Sequence, residues 1–489
     1  MNVGNGIDTA LRSGGLVAAG IRSEADCLAA AEVLAGFDAD GVETVRLVFV
    51  DQHGILRGKT VVVDAVLSAC AHGIGMPSTL LLKDTAHKTV FPVWEGGASV
   101  AGMALNGASD VLAAPDLTTA TPVPGSPHAR RVFCTLHARD GSPLAFSSHE
   151  ILARAVARLA HHGLQAVVGL EAEFQVFERI DPALDHAQAS MPPAAVGTRN
   201  LTQGWQFLTD ARYAEVEPLL DELRRAAQTT GLGVRTVEIE MGPSQFEFTF
   251  EPTDPMTQAR RFVLFRALVK EMCHRRGLHA SFMARPKLPH AAANGWHIHQ
   301  SVLHAESGRN AFMPAEAGEL TAEAAGWIAG LLRHAPASCL LTTPTVNGYK
   351  RFSDYQLAPN RVAWGYDNRG AMVRALLTPG DAASRLENRV ADATVNPYFA
   401  LAAQLLSGLD GIARSESPPP PSNTPYAETA AALPDSLLAA IEAFSDSALY
   451  RDTLGESVVD YLLCLKRAEW SRYLAAVTDW EQTEYFNLF

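Results

Sequence analysis

Strand-like stretches that alternate apolar with acidic or histidine side chains limit the fold of this chain more than any other feature. Side chains two residues apart on a β-strand point to the same face of a sheet. The stretch 169–174 therefore predicts a strand with Glu171 and Glu173 on one face and apolar side chains on the other. Two carboxylates side by side need either solvent or a cation.

The same alternation recurs at 296–301 and 386–390, and each of these stretches also predicts a strand with one polar face. Their polar side chains are His297, His299, Ser301, Glu387 and Arg389. Acids or imidazoles thus recur on one side of every such stretch.

A further pair of stretches, 237–240 and 246–250, is joined by a Gly-Pro turn and predicts a hairpin with Glu240 and Glu247 flanking its loop. Gathered carboxylates repel one another and lose hydration, and a cation among them is the usual resolution. The candidate ligands of two divalent metals are Glu171, Glu173, Glu240, Glu247, His297 and Glu387. Oxygen ligands with one imidazole suit Mg2+ or Mn2+ better than Zn2+. A solvated strand face would account for any one stretch alone, whereas the stretches together favour a metal site.

The chain has 489 residues, enough for one large catalytic domain and a smaller one. Its net charge of -13 and its lack of a basic run argue against nucleic acid or an anionic membrane as a partner. The six cysteines are scattered without a Cys-x-x-Cys pair, so neither a disulfide framework nor a zinc knuckle is predicted. No stretch reaches the roughly 18 to 20 apolar residues of a membrane span, and no secretion signal is recognisable. We therefore predict a cytoplasmic protein.

Helix-like and strand-like stretches divide the chain into two predicted domains. Residues 42–50 and 56–63 predict a hairpin in a small sheet-rich unit, and a Gly- and Pro-rich tract, 102–127, predicts a loop. We place the boundary near residue 140, which gives an N-terminal domain 1–140 and a catalytic domain 141–489. The predicted helices are 24–34, 149–159, 218–228, 255–275, 322–334, 435–444 and 457–475. Helices that alternate with the polar-faced strands indicate an α+β fold.

With these motifs taken in order, the chain resembles the glutamine synthetases of the bacterial dodecameric type over nearly its whole length. The resembling segments are the paired-glutamate strand at 169–177, the second glutamate pair at 240–247, the histidine strand at 295–301, and arginine-bearing segments at 347–352, 367–374 and 387–398. The resemblance implies a β-grasp N-terminal domain, a catalytic domain with a curved antiparallel sheet and flanking helices, and a ring-shaped homo-oligomer, a dodecamer.

The resemblance also implies a reaction. In this family ATP converts the γ-carboxylate of glutamate into an acyl phosphate, which an amine then attacks, while metals and arginines offset the phosphoryl charge. By resemblance, Glu173, Glu240 and Glu247 hold the metal nearer glutamate; Glu171, His297 and Glu387 hold the metal on the nucleotide phosphates; His299, Ser301 and Arg374 bind ATP; Arg351 binds the α-carboxylate of glutamate; and Arg369 and Arg389 bind the transferring phosphoryl group.

The chain departs from ammonia-using members of the family at the amine site. The position six residues after Arg351, where those members carry a proton-accepting glutamate, is Leu357. The family's Asp-Gly-Ser-Ser loop is also unmatched, and the corresponding stretch is 73–78. These losses resemble the branches that make γ-glutamyl derivatives of polyamines, ethanolamine, isopropylamine and aniline. Leu357, Met76 and Trp296 suggest an apolar pocket, which favours aniline or a short alkylamine.

Three alternatives stay open at this point. The family's Asn-Gly-Ser-Gly segment is Ala-Ala-Asn-Gly here and ends at Asn294 and Gly295, so the contact with the amino group of glutamate is open, and with it the choice of carboxylic acid. An ammonia-using glutamine synthetase is the second hypothesis for the activity. A catalytically inactive structural member of the same fold is the third, and the six gathered ligands argue against it because a scaffold has no need to hold like charges together.

Overall fold

The computed structural model describes residues 3–104, 107–181, 186, 189–205, 207–353, 357–426 and 429–489. The helices of the N-terminal part are α1 (Val3–Arg12), α2 (Gly15–Ala18), α3 (Glu24–Phe37) and α4 (Val63–His72). Its strands are β1 (Thr44–Val50), β2 (Leu56–Val62), β3 (Ile74–Pro77), β4 (Ser99–Val100), β5 (Met103–Ala104), β6 (Asp110–Val123) and β7 (Ser126–His137).

Five of these strands form one sheet in the order β2-β1-β7-β6-β3, and β4 pairs with β5 separately. β1 and β2 are the predicted antiparallel hairpin, while β1 and β7 pair in parallel. A parallel central pair inside an otherwise antiparallel sheet, with α3 and α4 packed against it, is the β-grasp arrangement.

The predicted loop at 102–127 is wrong, because most of this tract forms β6. Pro115 and Pro122 lack the N–H that a central strand needs, and this is why the sequence argued against a strand. β3 pairs only with the start of β6, at Asp110–Ala113, so the rest of β6 has an edge at which proline is tolerated. The pairing of β6 with β7 also shifts in register beside Pro122.

The second part of the chain carries the larger sheet. Its helices are α5 (Ser148–His161), α6 (Asp210–Thr229), α7 (Pro255–Arg275), α8 (Ala322–Arg333), α9 (Ala335–Thr342), α10 (Pro397–Ala413), α11 (Leu437–Ser445), α12 (Ala448–Leu454), α13 (Glu456–Leu474) and α14 (Asp479–Tyr485). Its strands are β8 (Leu164–Arg179), β9 (Thr198–Asn200), β10 (Val234–Ile239), β11 (Gln245–Thr253), β12 (Leu278–Ser281), β13 (Trp296–His304), β14 (Trp364–Tyr366), β15 (Val373–Leu376) and β16 (Arg385–Asn388). The strand order is β10-β11-β8-β13-β16-β15-β14, with β9 and β12 also pairing with β8.

The apolar face of this sheet packs on α7. The ring centroids of Phe174 and Phe265 lie 5.6 Å apart, and those of Trp296 and Phe262 lie 5.0 Å apart. All four side chains are buried. Because burial of a large apolar side chain contributes roughly 2–3 kcal/mol, these contacts fix which face of each strand turns inward. The alternation of the strands then leaves the opposite face for the acids and histidines.

Two helices show how proline acts on the sequence prediction. α7 begins at the predicted residue, because Pro255 stands at its first position and Asp254 Oδ1 accepts a 2.9 Å hydrogen bond from the Thr257 N–H. The predicted start of α6 at Pro218 is wrong, since the helix begins eight residues earlier, at Asp210. Pro218 lies on the exposed side of α6, where a missing hydrogen bond is tolerated.

The fold class is confirmed as α+β, with a β-grasp N-terminal sheet followed by a larger sheet flanked by helices. The boundary near residue 140 falls in the connection between β7 and α5, and it stays a prediction. Of the helices that the structure describes, none combines the length and the apolar character that a membrane crossing requires.

Candidate active site

The strand register brings the separate polar stretches onto neighbouring strands. Glu247 on β11 lies opposite Glu173 on β8, and Glu171 lies opposite His297 on β13. Directly opposite residues in an antiparallel pair have Cβ atoms about 5 Å apart, close enough for shared ligands. His299 on β13 lies in turn opposite Glu387 on β16.

Glu171 lies at the centre of the polar face, the side of the larger sheet that carries the acids and histidines. One of its oxygens accepts a hydrogen bond of 2.9 Å from His297 Nδ1, and the other accepts one of 2.8 Å from His299 Nε2. Burial alone would raise the pKa of Glu171, but the hydrogen bonds and charges of the two histidines outweigh it and hold this pKa well below its ordinary value. The two histidines therefore favour the ionised form of Glu171 in spite of its burial.

Glu387 is fully buried and is matched by arginines. Arg374 Nη1 donates to one of its oxygens at 3.0 Å, and Arg389 Nη1 donates to the other at 2.5 Å. Burial alone would raise the pKa of Glu387, but the charges of Arg389, His297 and His299 outweigh burial and keep it low. We call this group the paired end of the face: Glu171, His297, His299, Arg374, Glu387 and Arg389.

At the other end of the face, no Lys or Arg of the described residues pairs with the acids, and only the ring of His297 comes near them, 3.9 Å from Glu173. We call Glu173, Glu240 and Glu247 the acid-rich end. Burial, together with the charge of Glu173, raises the pKa of Glu240 to about 8. Burial and the charges of Glu173 and Glu171 raise the pKa of Glu247 well above its ordinary value. Glu247 Oε1 is buried and has no hydrogen-bond partner among the described residues.

These residues fit a divalent metal. Two groups of side chains bring their ligand atoms within 4.8 Å of one another. The first group is Glu171, Glu247 and His297, and the second is Glu171, His299 and Glu387. Carboxylates with imidazole suit Mg2+ or Mn2+, and a cation would meet both the repulsion and the unpartnered oxygen of the acid-rich end. All six predicted ligands lie on this face or at its hairpin edge, while their division between two metals stays a prediction.

Gly295 marks a cradle between the two ends. A Cβ at this position would lie 2.8 Å from His297 Nε2, 3.1 Å from Glu173 Oε1 and 3.3 Å from Arg351 Nη2. Its N–H donates to Glu173 Oε2 at 2.8 Å. A substrate that fits here would touch an arginine on one side and the ligand cluster on the other, and any side chain at position 295 would fill the space.

The predicted arginines differ in their surroundings. Arg351 is buried, donates to the Val390 carbonyl at 2.9 Å, and keeps its Nε without a partner in the part of the chain that the structure describes. Arg374 also pairs with Asp367 at 2.6 Å. Arg369 is exposed in the turn between β14 and β15, so its position alone does not connect it to the face.

Several of the predicted substrate residues are buried against other parts of the chain. Trp296 is completely buried on the side of β13 away from His297, against Phe262, so it does not line the polar face. Met76 is buried in the N-terminal sheet. Asn294 is buried too, and its amide bonds Gln175, Met283 and Gln245. Of the three side chains from which the sequence predicted an apolar pocket, Trp296 and Met76 are buried within this chain and Leu357 is exposed.

Leu357 and Ser301 are both at least partly exposed to solvent. Leu357 is 46% exposed and has a φ of +54°, directly after residues 354–356, which lie outside the described part of the chain. Ser301 lies on β13 two residues beyond His299 and is partly exposed on the same face. Both stay predictions as substrate-binding residues.

The sequence did not single out three further residues of the site. Gln245 donates to Glu173 Oε2 at 3.2 Å, and Arg385 Nε donates to His299 Nδ1 at 3.1 Å. Trp205 is 65% exposed and is held beside Glu240, because its N–H donates to the Met241 carbonyl at 2.7 Å. Arg385 and Gln245 had the same signal, since each lies two residues before a predicted ligand on its strand, Glu387 on β16 and Glu247 on β11.

Trp205 borders a cavity of about 450 Å³ at the turn of the hairpin whose loop Glu240 and Glu247 flank. The cavity lies between the segment 200–205, Pro243 in the hairpin turn, and the segment 289–290 that leads towards Gly295. Leu208 is also exposed, and its N–H donates to the Ile239 carbonyl at 3.1 Å. An apolar surface is thus fixed against the hairpin that carries Glu240.

Comparisons with known proteins agree on one family. The family model described as the glutamine synthetase catalytic domain matches residues 146–485. Gamma-glutamylanilide synthase from Acinetobacter sp is 34% identical over 480 residues, which cover 94% of this chain and 96% of that protein. Gamma-glutamylethanolamide synthetase GlnA4 from Streptomyces coelicolor is 33% identical over 461 residues, which cover 92% of this chain and 93% of that protein.

The similarity extends to solved structures. A structure described as a GmaS/ADP complex superposes with a TM-score of 0.77 at 25% identity, covering 93% of this chain and 99% of that one. The match therefore spans both the N-terminal sheet and the sheet that carries the polar face.

Proposed function

This chain belongs to the glutamine synthetase family and is an ATP-dependent ligase, and from that premise we propose that it joins the γ-carboxylate of glutamate to an organic amine. The observation that carries the proposal is the polar face, on which a cradle beside Arg351 adjoins both the acid-rich end and the paired end. The absence of an acid at position 357 favours an organic amine over ammonia.

The paired end supports the binding of ATP. His299, Arg374 and Arg389 direct donors at carboxylates, and the same donors suit the phosphate oxygens of a nucleotide. Bound Mg2+ or Mn2+ supplies positive charge that offsets the phosphate charges. Arg369, at the neighbouring turn, completes the set that we propose for the transferring phosphoryl group.

The cradle supports the binding of glutamate. Arg351 is a buried guanidinium with donor capacity to spare, which suits the α-carboxylate, and Gly295 leaves room for it. A γ-carboxylate oxygen then attacks the terminal phosphorus of ATP, and ADP leaves. The amine nitrogen attacks the resulting acyl carbon, loses a proton, and phosphate leaves.

Exposed apolar side chains support an amine with an apolar or aromatic substituent. Leu357, Trp205 and Met241 are exposed, whereas Trp296 and Met76 are buried within this chain. Acids nearby suit the ammonium group, and an aromatic face suits both an apolar tail and a cation. Two of the similar proteins are named for anilide and ethanolamide products.

We also propose that the protein is cytoplasmic and assembles as a ring-shaped homo-oligomer, a dodecamer, as the family implies. Apolar side chains near the C-terminal end support burial against another copy, and they are Leu474, Val477, Trp480, Phe486, Leu488 and Phe489. Light scattering coupled to size-exclusion chromatography measures the number of subunits directly.

The function is tested by phosphate release from ATP with glutamate and Mg2+ or Mn2+. The amines to compare are ammonia, ethanolamine, putrescine, isopropylamine and aniline. We expect turnover with aniline or isopropylamine well above turnover with ammonia. Turnover with ammonia alone would instead establish a glutamine synthetase, and silence with every amine would favour the inactive structural alternative or another carboxylic acid.

A further inference from the structure

A second large cavity of about 660 Å³ lies between the hairpin of β1 and β2 and α7, away from the polar face. Its charged lining consists of Arg46, Arg57, Lys59, Arg131, Arg266, Lys270 and Glu271. Six cations against one carboxylate is unexpected in a chain with a net charge of -13. We call this space the basic cavity.

The one lining carboxylate is shared. Glu271 Oε1 accepts from Arg46 Nη1 at 3.0 Å and from Arg131 Nη2 at 2.8 Å, so a single oxygen serves two guanidinium groups. A carboxylate carries one negative charge, and it therefore neutralises only half of this pair. The remaining charge is held in place, because Arg131 is buried.

The other cations are bonded mostly without being neutralised. Arg57 pairs with Asp51, which lies just behind the cavity wall, at 2.8 Å. Arg266 is buried and donates to backbone carbonyls, among them that of Val395 at 3.1 Å, and Lys59 donates to the Gly75 carbonyl. In the described part of the chain, neither Lys59 nor Lys270 has a carboxylate within ion-pairing distance, so six cations minus two acids leave an excess of four.

The protein bears an energetic cost for this arrangement. Burial lowers the pKa of Arg266 to about 10, and burial together with the charge of Arg266 lowers the pKa of Lys270. These shifts show that the charged forms are disfavoured where they stand. A bound anion would reverse that effect by supplying the opposite charge in a partly desolvated space.

We propose that the basic cavity binds a small anion with at least two negative charges, a dicarboxylate or a phosphate. The site is separate from the polar face, whose acid-rich end has charge of the opposite sign. Arg46, Lys59 and Lys270 lie at the accessible side and contact the anion, while Arg131 and Arg266 provide fixed positive charge behind them. Ser281 adds a hydroxyl donor at the end of β12.

The test compares two double variants of the full-length protein. Arg46→Gln with Lys270→Gln removes two accessible cations of the cavity. Arg225→Gln with Arg235→Gln removes two exposed cations elsewhere, from α6 and β10, and serves as the matched control. Titration calorimetry and thermal unfolding are followed with sodium phosphate and with sodium succinate, and sodium chloride keeps the ionic strength constant.

We expect saturable binding to the wild type and to the control, and binding at least about tenfold weaker in the cavity variant. Phosphate and succinate are separate arms that identify the anion class. Binding of equal strength in both double variants would place the anion at the polar face or elsewhere and overturn the proposal. Absence of saturable binding beyond the sodium chloride control would overturn it too. Turnover with the best amine, which neither double variant should change, shows that each variant is folded.

Discussion

The two ends of the polar face differ in the surroundings of their glutamates and in the direction in which those surroundings shift the pKa values. At the paired end, Glu171 and Glu387 are surrounded by imidazoles and guanidinium groups, and their pKa values lie below the ordinary range. At the acid-rich end, Glu240 and Glu247 are surrounded by other acids, and their pKa values lie above it. The two ends are joined through β8, on which Glu171 and Glu173 are two residues apart.

This difference indicates two ways of holding a metal. The paired end is close to electrically neutral without one, so its donors are free to turn towards phosphate oxygens when a nucleotide and its cation arrive. At the acid-rich end, the raised pKa values of Glu240 and Glu247 favour their protonated forms until a cation displaces the protons. The comparison leads to four predictions, which test it from both sides.

Loss of Glu171 should affect both ends, because it accepts from His297 and His299 at the paired end and shares a ligand group with Glu247 of the acid-rich end. We expect Glu171→Gln to lower kcat/KM by about 10³-fold or more, since removing a charge that orders metal and phosphate donors costs several kcal/mol. The measurement is phosphate release with the best amine. Glu178→Gln, on the same strand but paired with Arg199 at the surface, is the control and should keep its activity. Full activity of Glu171→Gln would remove Glu171 from the site.

Stability without metal should change in opposite directions at the two ends. Glu387→Gln leaves Arg374 and Arg389 without their buried partner, and we expect a loss of about 3–5 kcal/mol in the free energy of unfolding. Glu247→Gln removes one of several repelling acids, and we expect a gain of about 1 kcal/mol. Urea unfolding in the presence of a chelator measures both. Destabilisation of similar size in the two variants would contradict the distinction between the ends.

The strands of this face were predictable because their alternation is local. The pattern at 169–174 fixes which side chains share a face, and the structure brings Glu171, His297 and Glu387 together as strand neighbours. Alternation also explains why Trp296 could not line the site, since it lies next to His297 in sequence and therefore on the other face. Trp296 has the residue type of an apolar pocket, but its place in the alternation puts it on the face that packs against α7.

Other features could not be predicted because they depend on distant segments. β6 is a strand although it contains Pro115 and Pro122, since pairing with β7 overrides the local preference. α10 is apolar on all sides and buried, so it has no amphipathic period to detect. Trp205 comes beside Glu240 only through hydrogen bonds between two loops, and no spacing in the sequence encodes that contact.

The binding of metal should depend on pH at the acid-rich end. The pKa of Glu240 is raised from 4.5 to about 8, so below pH 8 a cation must displace a proton to bind. We therefore expect Mn2+ affinity to rise with pH up to about pH 8, by up to about tenfold per unit for one displaced proton. Calorimetry in buffers of different ionisation enthalpy counts the protons released.

The control for this dependence is Glu251→Gln, at the far end of β11, which should keep the full slope. Glu240→Gln should lower the affinity and flatten the slope. An affinity that is the same at pH 6.5 and pH 8.5 in the wild type would show that the acid-rich end is already ionised without metal, and the contrast between the two ends would then be lost.

The smallest effect should come from adding an acid near the amine. In the proposed function Leu357 borders the amine site, where ammonia-using relatives are expected to have a glutamate. Leu357→Glu should favour ammonia over organic amines by about fivefold in the ratio of kcat/KM values, because one partly solvated charge contributes only about 1 kcal/mol. Leu438→Glu, which places the same acid at an exposed position of α11, is the matched control and should leave the ratio unchanged. If the ratio stays the same in both variants, position 357 does not set the amine preference. The exposed surface around Trp205 then becomes the region that selects the amine.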